Sequence, residues 1–309
     1  MTASFADRLA ELVEARRSQI VLGLDPDPAR LWPDAVAQAP PDGSPARRAA
    51  GAVRAHCAAL IDAAGEACVA VKPQLACFER LGADGWAALV STVLYARERG
   101  LLVIADGKRG DISVSAAAYA QALVGRTPTP FGDVDGLGVD AFTANPLLGI
   151  DSLEPIVAGA RDAAAGVFVL VRTSNPGAAD VEDLVLAHGA GAGAGTVWEH
   201  LAGIVAQLGS PPSPVSGLSD ICAVVGATAP EHVARMRELM PHTPFLLPGI
   251  GAQGGRVEDL APAFAPGRAG GLVSASRSIA SAHESSGAAP ADAARTEAER
   301  LREAAWSLN

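Results

Sequence analysis

The sequence predicts a single α/β domain, a (β/α)8 TIM barrel spanning 1–309, on three observations. Eight short apolar runs bounded by turn residues recur along the chain. Each is followed by a stretch of helical character, and no linker or topological break divides the series. An open doubly wound sheet of six or seven strands is the alternative, but a count of eight β-then-α units favours closure.

The first strand is read at 20–24, behind an amphipathic helix within residues 1–17. Asp7, Arg8, Glu11, Glu14, Arg16 and Arg17 interrupt that helix's apolar positions. A secretory signal needs an uninterrupted apolar centre, so none is expected. Later strands are read at 68–72, 101–105, 138–142, 167–171, 221–225, 244–247 and 270–274. Most are continuous apolar runs without alternation, as parallel strands covered on both faces require. Helices are read at 46–64, 84–99, 113–123, 151–161, 196–208, 230–239, 256–264 and 290–306. Ser152 near Glu154 reads as one helix start, and Pro230 as a first-turn residue of another. Surface-loop insertions are expected near 31–45 and 177–219, the latter including a Gly/Ala tract at 189–195 with no packing code.

Composition excludes several classes of function. Lys and Arg total 24 against 34 Asp and Glu, a net charge of −10. That balance argues against nucleic acid as a partner and requires any anionic ligand to be held by local cations. No apolar run is long enough to span a bilayer, so no membrane partner is expected. Cys57, Cys68, Cys77 and Cys222 lack metal-ligand spacing and read as small core residues in a reducing, cytoplasmic setting. His56, His188, His200, His232, His242 and His283 are scattered singly. No metal site is expected.

The basic residues carry the sharpest signal. Only two of the 24 are lysine, Lys72 and Lys108, so arginine serves wherever a generic positive charge suffices. Both lysines fall at strand ends, on the rim where barrel enzymes place their chemistry. A guanidinium stays protonated, whereas an ammonium can give up a proton. Asp106 and Asp111 flank Lys108 in DxKxxD, giving acids and bases in one small space. Burying such an array costs free energy that a functionless surface would not bear. After the seventh strand comes PGIGAQGG, and after the eighth SASRSI with Arg277. Glycine-lined backbone N–H groups and an arginine at these two strands predict a phosphate grip.

Together, ADGKRGDI, LGLDPD, VAVKPQLACFE, TSNPGA and PGIGAQGG resemble orotidine 5′-phosphate decarboxylases, and in particular their longer bacterial form. The likeness runs in matching order from Asp25 to Arg277. It implies a homodimer of barrels that turns orotidine 5′-monophosphate into UMP and CO2, closing de novo pyrimidine biosynthesis without metal or cofactor. The resemblance puts a catalytic array on Lys72, Asp106, Lys108 and Asp111, with Lys108 stabilising and protonating a C6 carbanion. Asp111, Ile112 and Ser115 would reach the partner's site, although many relatives have threonine at the last position. Asp25 would bind ribose. Ser174, or its neighbour Thr173, would bind the pyrimidine, with Asn145 near it. Pro248 and Gln253 would come from the seventh loop, shaped by Gly249 and Gly251, and Arg277 would hold phosphate.

Two other readings stay open at this stage. A magnesium-dependent 3-keto-gulonate 6-phosphate decarboxylase also carries DxKxxD, but places a metal-binding glutamate where Lys72 stands. A non-enzymatic nucleotide sensor on a decayed barrel is the other.

Overall fold

The computed structural model describes residues 3–187, 195–251 and 253–308. Residues 189–194 of the Gly/Ala tract, and His188, lie outside the described residues. Eight strands close a parallel barrel in sequential order. They are β1 Ile20–Leu24, β2 Ala70–Pro73, β3 Leu102–Arg109, β4 Ala141–Ala144, β5 Gly166–Arg172, β6 Ile221–Val225, β7 Phe245–Leu247 and β8 Gly271–Ala275. Closure comes from β1 pairing with both neighbours, Val21 opposite Ala70 and Ile20 opposite Val273. Around it stand α2 Pro45–Ala64, α3 Gly82–Glu98, α4 Ser113–Leu123, α5 Ile150–Asp162, α6 Val197–Leu208, α7 Val233–Leu239 and α8 Pro290–Trp306, behind the N-terminal α1 Phe5–Arg16.

The core has two layers because each strand buries both faces. Outward residues such as Leu22, Val71, Val103 and Phe142 pack beneath the helices. Inward residues such as Val21, Ala70, Ile104, Ala141, Phe168 and Leu272 fill the barrel. Helix α1 plugs the N-terminal end of the barrel, placing Phe5, Leu9 and Val13 in that inner cluster. Its start is capped by the Ser4 hydroxyl, which accepts from the Asp7 N–H. A Cβ at Gly166 would lie 2.4 Å from the Phe5 ring, so the plug needs glycine there. Side chains two positions beyond this layer point into the barrel mouth. Lys72 follows Ala70, Asp106 follows Ile104, and Thr143 follows Ala141.

Several boundaries differ from the sequence reading. Strand β3 runs on to Arg109, past the expected end at 105, because it carries a bulge described below. Residues 256–264 form a 3-10 helix, Val257–Phe264, interrupted by Pro262, which supplies no N–H for an α-helical bond. The 230–239 segment divides into a 3-10 turn, Pro230–His232, and α7. Helix α5 starts after Gly149, not at Ser152, whose hydroxyl donates back to the Gly149 carbonyl. The insertion near 31–45 holds a short helix, Pro33–Ala37, and the one near 177–219 holds a small ladder pairing Val185–Leu186 with Gly195–Thr196. Cys57, Cys68 and Cys222 are buried and Cys77 half-buried, all as free thiols. Among the described residues no helix is long and apolar enough to cross a membrane, and no cluster of potential ligands is arranged for a metal.

Candidate active site

The C-terminal mouth of the barrel opens on a cavity of about 360 Å³ with Asp106 on one wall. Both carboxylate oxygens of Asp106 are engaged. The Lys72 ammonium donates to Oδ2 at 2.6 Å and the Lys108 ammonium to Oδ1 at 2.6 Å. Gln74 Nε2 adds a bond to Oδ2 at 3.3 Å, and the Thr143 hydroxyl donates to Oδ1 at 3.0 Å. Asp106 and Lys72 are 5% and 6% exposed, so both charges are desolvated. The Lys108 side chain is 43% exposed and faces the cavity. Burial alone would raise the Asp106 pKa, but Lys72 and Lys108 overcome it and bring it down to about 2. Burial likewise opposes the charge on Lys72, and Asp106, helped by Asp25, more than restores it. The site therefore places the Lys72 and Lys108 side-chain nitrogens on either oxygen of one ionised carboxylate.

A backbone irregularity aims Lys108. Ala105 pairs with Phe142 and Arg109 with Ala144, so four steps along β3 match two along β4. The extra residues form a bulge, a device that re-aims side chains beside active sites. Lys108 sits there in the left-handed region at φ 47°, and its N–H is held by the Thr143 hydroxyl at 2.8 Å. Strain of this kind costs on the order of 1–3 kcal/mol and persists where the surroundings over-determine it. A Cβ at Gly107 would meet the end of the Leu75 side chain at 2.7 Å, so a larger residue at the bulge requires Leu75 to shift.

The other walls come from more distant strands. After β5, Thr173, Ser174 and Asn175 line the cavity. Gly226 lets that turn approach closely, because a Cβ on it would lie 2.8 Å from the Ser174 backbone. After β7, Pro248, Gly249 and Gln253 contribute, with Gly249 at φ 104° and Gly251 at φ 72°. That loop closes on itself through Gly255 N–H to the Gly249 carbonyl and Gly251 N–H to the Gly255 carbonyl, both at 3.0 Å. Ser276 and Arg277 follow β8, and Asp25 follows β1. An arginine facing glycine-rich backbone is a suitable seat for a phosphate dianion.

Of the residues expected from sequence, Asp25, Lys72, Asp106, Lys108, Thr173, Ser174, Pro248, Gly249, Gln253 and Arg277 line this one cavity. Gly251 shapes the loop but borders a neighbouring hollow. Asn145 does not line the cavity; its side-chain oxygen accepts from the Leu147 N–H. Asp111, Ile112 and Ser115 lie outside it too. Among the described residues the Asp111 carboxylate accepts its own neighbour's N–H, from Ile112, while Ile112 is 54% exposed and Ser115 exposed. Gln74, Thr143, Asn175 and Ser276 were missed. Gln74 and Thr143 had a usable signal, each lying two positions beyond an inward residue of its strand.

A family model described as the orotidine 5′-phosphate decarboxylase / HUMPS family matches residues 18–291. A protein of Rhodopirellula baltica named orotidine 5′-phosphate decarboxylase is 38% identical over 284 residues, covering 91% of this chain and 89% of its own. One of Haloarcula marismortui with the same name is 42% identical over 283 residues, covering 91% and 88%. The solved structure of Leishmania donovani OMP decarboxylase superposes with a TM-score of 0.68 at 31% identity, covering 98% of this chain and 99% of that one.

Proposed function

The chain belongs to the orotidine 5′-phosphate decarboxylase / HUMPS family, and from that premise we infer that it is an enzyme converting orotidine 5′-monophosphate to UMP and CO2. The observation that carries this reading is the pair of ammoniums bridged by Asp106 at the cavity wall. Loss of CO2 from C6 leaves an electron pair in an in-plane orbital that the ring π-system cannot delocalise. The stabiliser open to the protein is a fixed positive charge, already oriented before reaction. The Lys108 ammonium supplies it and then protonates C6. Asp106 holds Lys108 and Lys72 in register, and Asp25 and Lys72 meet the ribose hydroxyls. Arg277 and the glycine-rich β7 loop hold the phosphate, so binding energy remote from C6 fixes the ring against the array.

The magnesium-dependent rival needs a carboxylate where this chain carries Lys72, and an ammonium there repels a divalent cation. The site also extends to a second copy of the chain. Asp111, Ile112 and Ser115 project from the mouth rim of one protomer toward the partner's cavity. The exposed apolar side chains Ile112 and Val114, before and at the start of α4, and Leu147 and Leu148, on the loop after β4, support such an interface. Free thiols throughout suit a cytoplasmic enzyme of UMP biosynthesis.

The test is direct. Chelator-treated protein given orotidine 5′-monophosphate should release UMP and CO2 in equal amounts, at a rate indifferent to added Mg2+. Absence of UMP would remove the assignment, and a strict Mg2+ requirement would move it to the rival.

A further inference from the structure

The turn that lines the cavity after β5 is tied down by two acidic residues that lie outside the cavity lining. Arg172, the last residue of β5, is buried, and its guanidinium grips Asp183 with two bonds, Nε to Oδ1 at 3.1 Å and an Nη to Oδ2 at 3.0 Å. Another Nη of Arg172 donates to the Thr173 carbonyl at 3.2 Å. The adjacent Glu182 accepts the Thr173 N–H at 2.8 Å through Oε2, and its Oε1 lies 3.1 Å from the Thr173 hydroxyl. That hydroxyl also reaches Asn175 Oδ1 at 2.7 Å. Glu182 is itself held, because its carbonyl accepts the N–H of buried Trp198 on α6 at 2.9 Å. On the other side, the Thr228 hydroxyl donates to the Ser174 carbonyl at 3.0 Å, and Gly226 N–H to the Arg172 carbonyl at 2.7 Å.

We propose that Glu182, backed by the Arg172–Asp183 pair, is a positioning residue that sets the Thr173–Ser174–Asn175 turn for recognition of the pyrimidine ring. This rests on reading the cavity as a pyrimidine-nucleotide site. A carboxylate at 182 is the group that accepts the Thr173 N–H, and it stands within reach of the Thr173 hydroxyl, whose single proton goes either to it or to Asn175 Oδ1. Without it the N–H loses its partner and the turn loses its fixed shape. Asp25, Arg277 and the β7 loop meet ribose and phosphate from other strands, so their grip is independent of Glu182. The dependence is therefore selective for the base.

Binding of UMP and of ribose 5-phosphate, which lacks the base, separates this role from a general structural one. In Glu182→Ala the Kd for UMP and the KM for orotidine 5′-monophosphate should rise about tenfold, the size of one hydrogen bond's loss. Ribose 5-phosphate should bind within about twofold of wild type, the interval over which a hydrogen bond has not been lost. Glu182→Gln can accept the N–H and donate to the hydroxyl, so it should restore UMP binding. Glu182→Asp keeps the charge but is one methylene short of spanning both groups, so it should lose UMP affinity as the alanine variant does, and it guards against misfolding of that variant. Wild-type UMP affinity in both the Ala and Asp variants overturns the proposal, as does an equal loss for ribose 5-phosphate. Failure of the underlying reading shows differently, as wild-type protein that makes no UMP, and the proposal falls with it.

Discussion

Lys108→Ala is expected to lower kcat by about 10⁴-fold or more, while UMP binding and thermal stability stay near wild type. The magnitude follows from two roles held by one group. Preorganised charge at the reacting atom contributes about 10²–10³ and a positioned proton donor about 10²–10⁴. Stability should change little, because the Lys108 side chain is 43% exposed and a half-solvated ion pair contributes weakly. Asp106 keeps Lys72, Gln74 and Thr143 as partners in the variant. Lys108→Arg sharpens the test. A guanidinium preserves charge but does not release a proton, so it should recover only a minor part of the lost rate. Single-turnover kinetics with UMP titration measures all of these. A loss under about tenfold in the alanine variant would show that Lys108 lies outside the chemical step.

Asp111→Ala should be nearly inactive as well, for a reason visible only in the assembly, and mixing it with Lys108→Ala should bring activity back. In the proposed dimer each site takes Lys108 from one chain and Asp111 from the other. A mixed dimer then holds one doubly damaged site and one intact site. With equal amounts and random exchange, half the dimers are mixed, so about a quarter of the wild-type sites return; the estimate is mass action over a two-fold symmetric dimer. Activity is measured after unfolding and refolding the two variants together, against each refolded alone. No recovery would mean that Asp111 serves its own chain. Among the described residues of the single chain its carboxylate accepts the Ile112 N–H and stands outside the cavity lining it is expected to complete.

The barrel was legible because parallel strands buried on both faces must be apolar throughout, and β1 and β6 appear in sequence with their observed limits. The last four residues of β3 were not legible as strand. The bulge carries a glycine and three charged residues, so DGKR reads as loop until β4 is seen to pair with Arg109. The 3-10 character of Val257–Phe264 was hidden because its apolar spacing also suits an α-helix. At the site, the scarcity of lysine exposed Lys72 and Lys108 at once. Thr143 could be placed at the mouth by its position two beyond inward Ala141, but its part in receiving the Lys108 N–H and donating to Asp106 is encoded by no local pattern. Glu182 and Asp183 escaped for the same reason, each acting on residues nine to eleven positions earlier in the chain. Asn145, expected near the pyrimidine, lies outside the cavity lining with its side-chain oxygen accepting from the Leu147 N–H.

The central claim is that the cavity wall is built for negative charge at C6 and is charged before any ligand arrives. A UMP analogue carrying an anionic oxygen on C6 tests it most directly. Wild-type protein should bind that analogue at least about 10³-fold more tightly than UMP, as expected of a mimic of the charged reacting state. The preference should collapse in Lys108→Ala. Equal affinity for the analogue and UMP, or a preference that survives loss of Lys108, would contradict it.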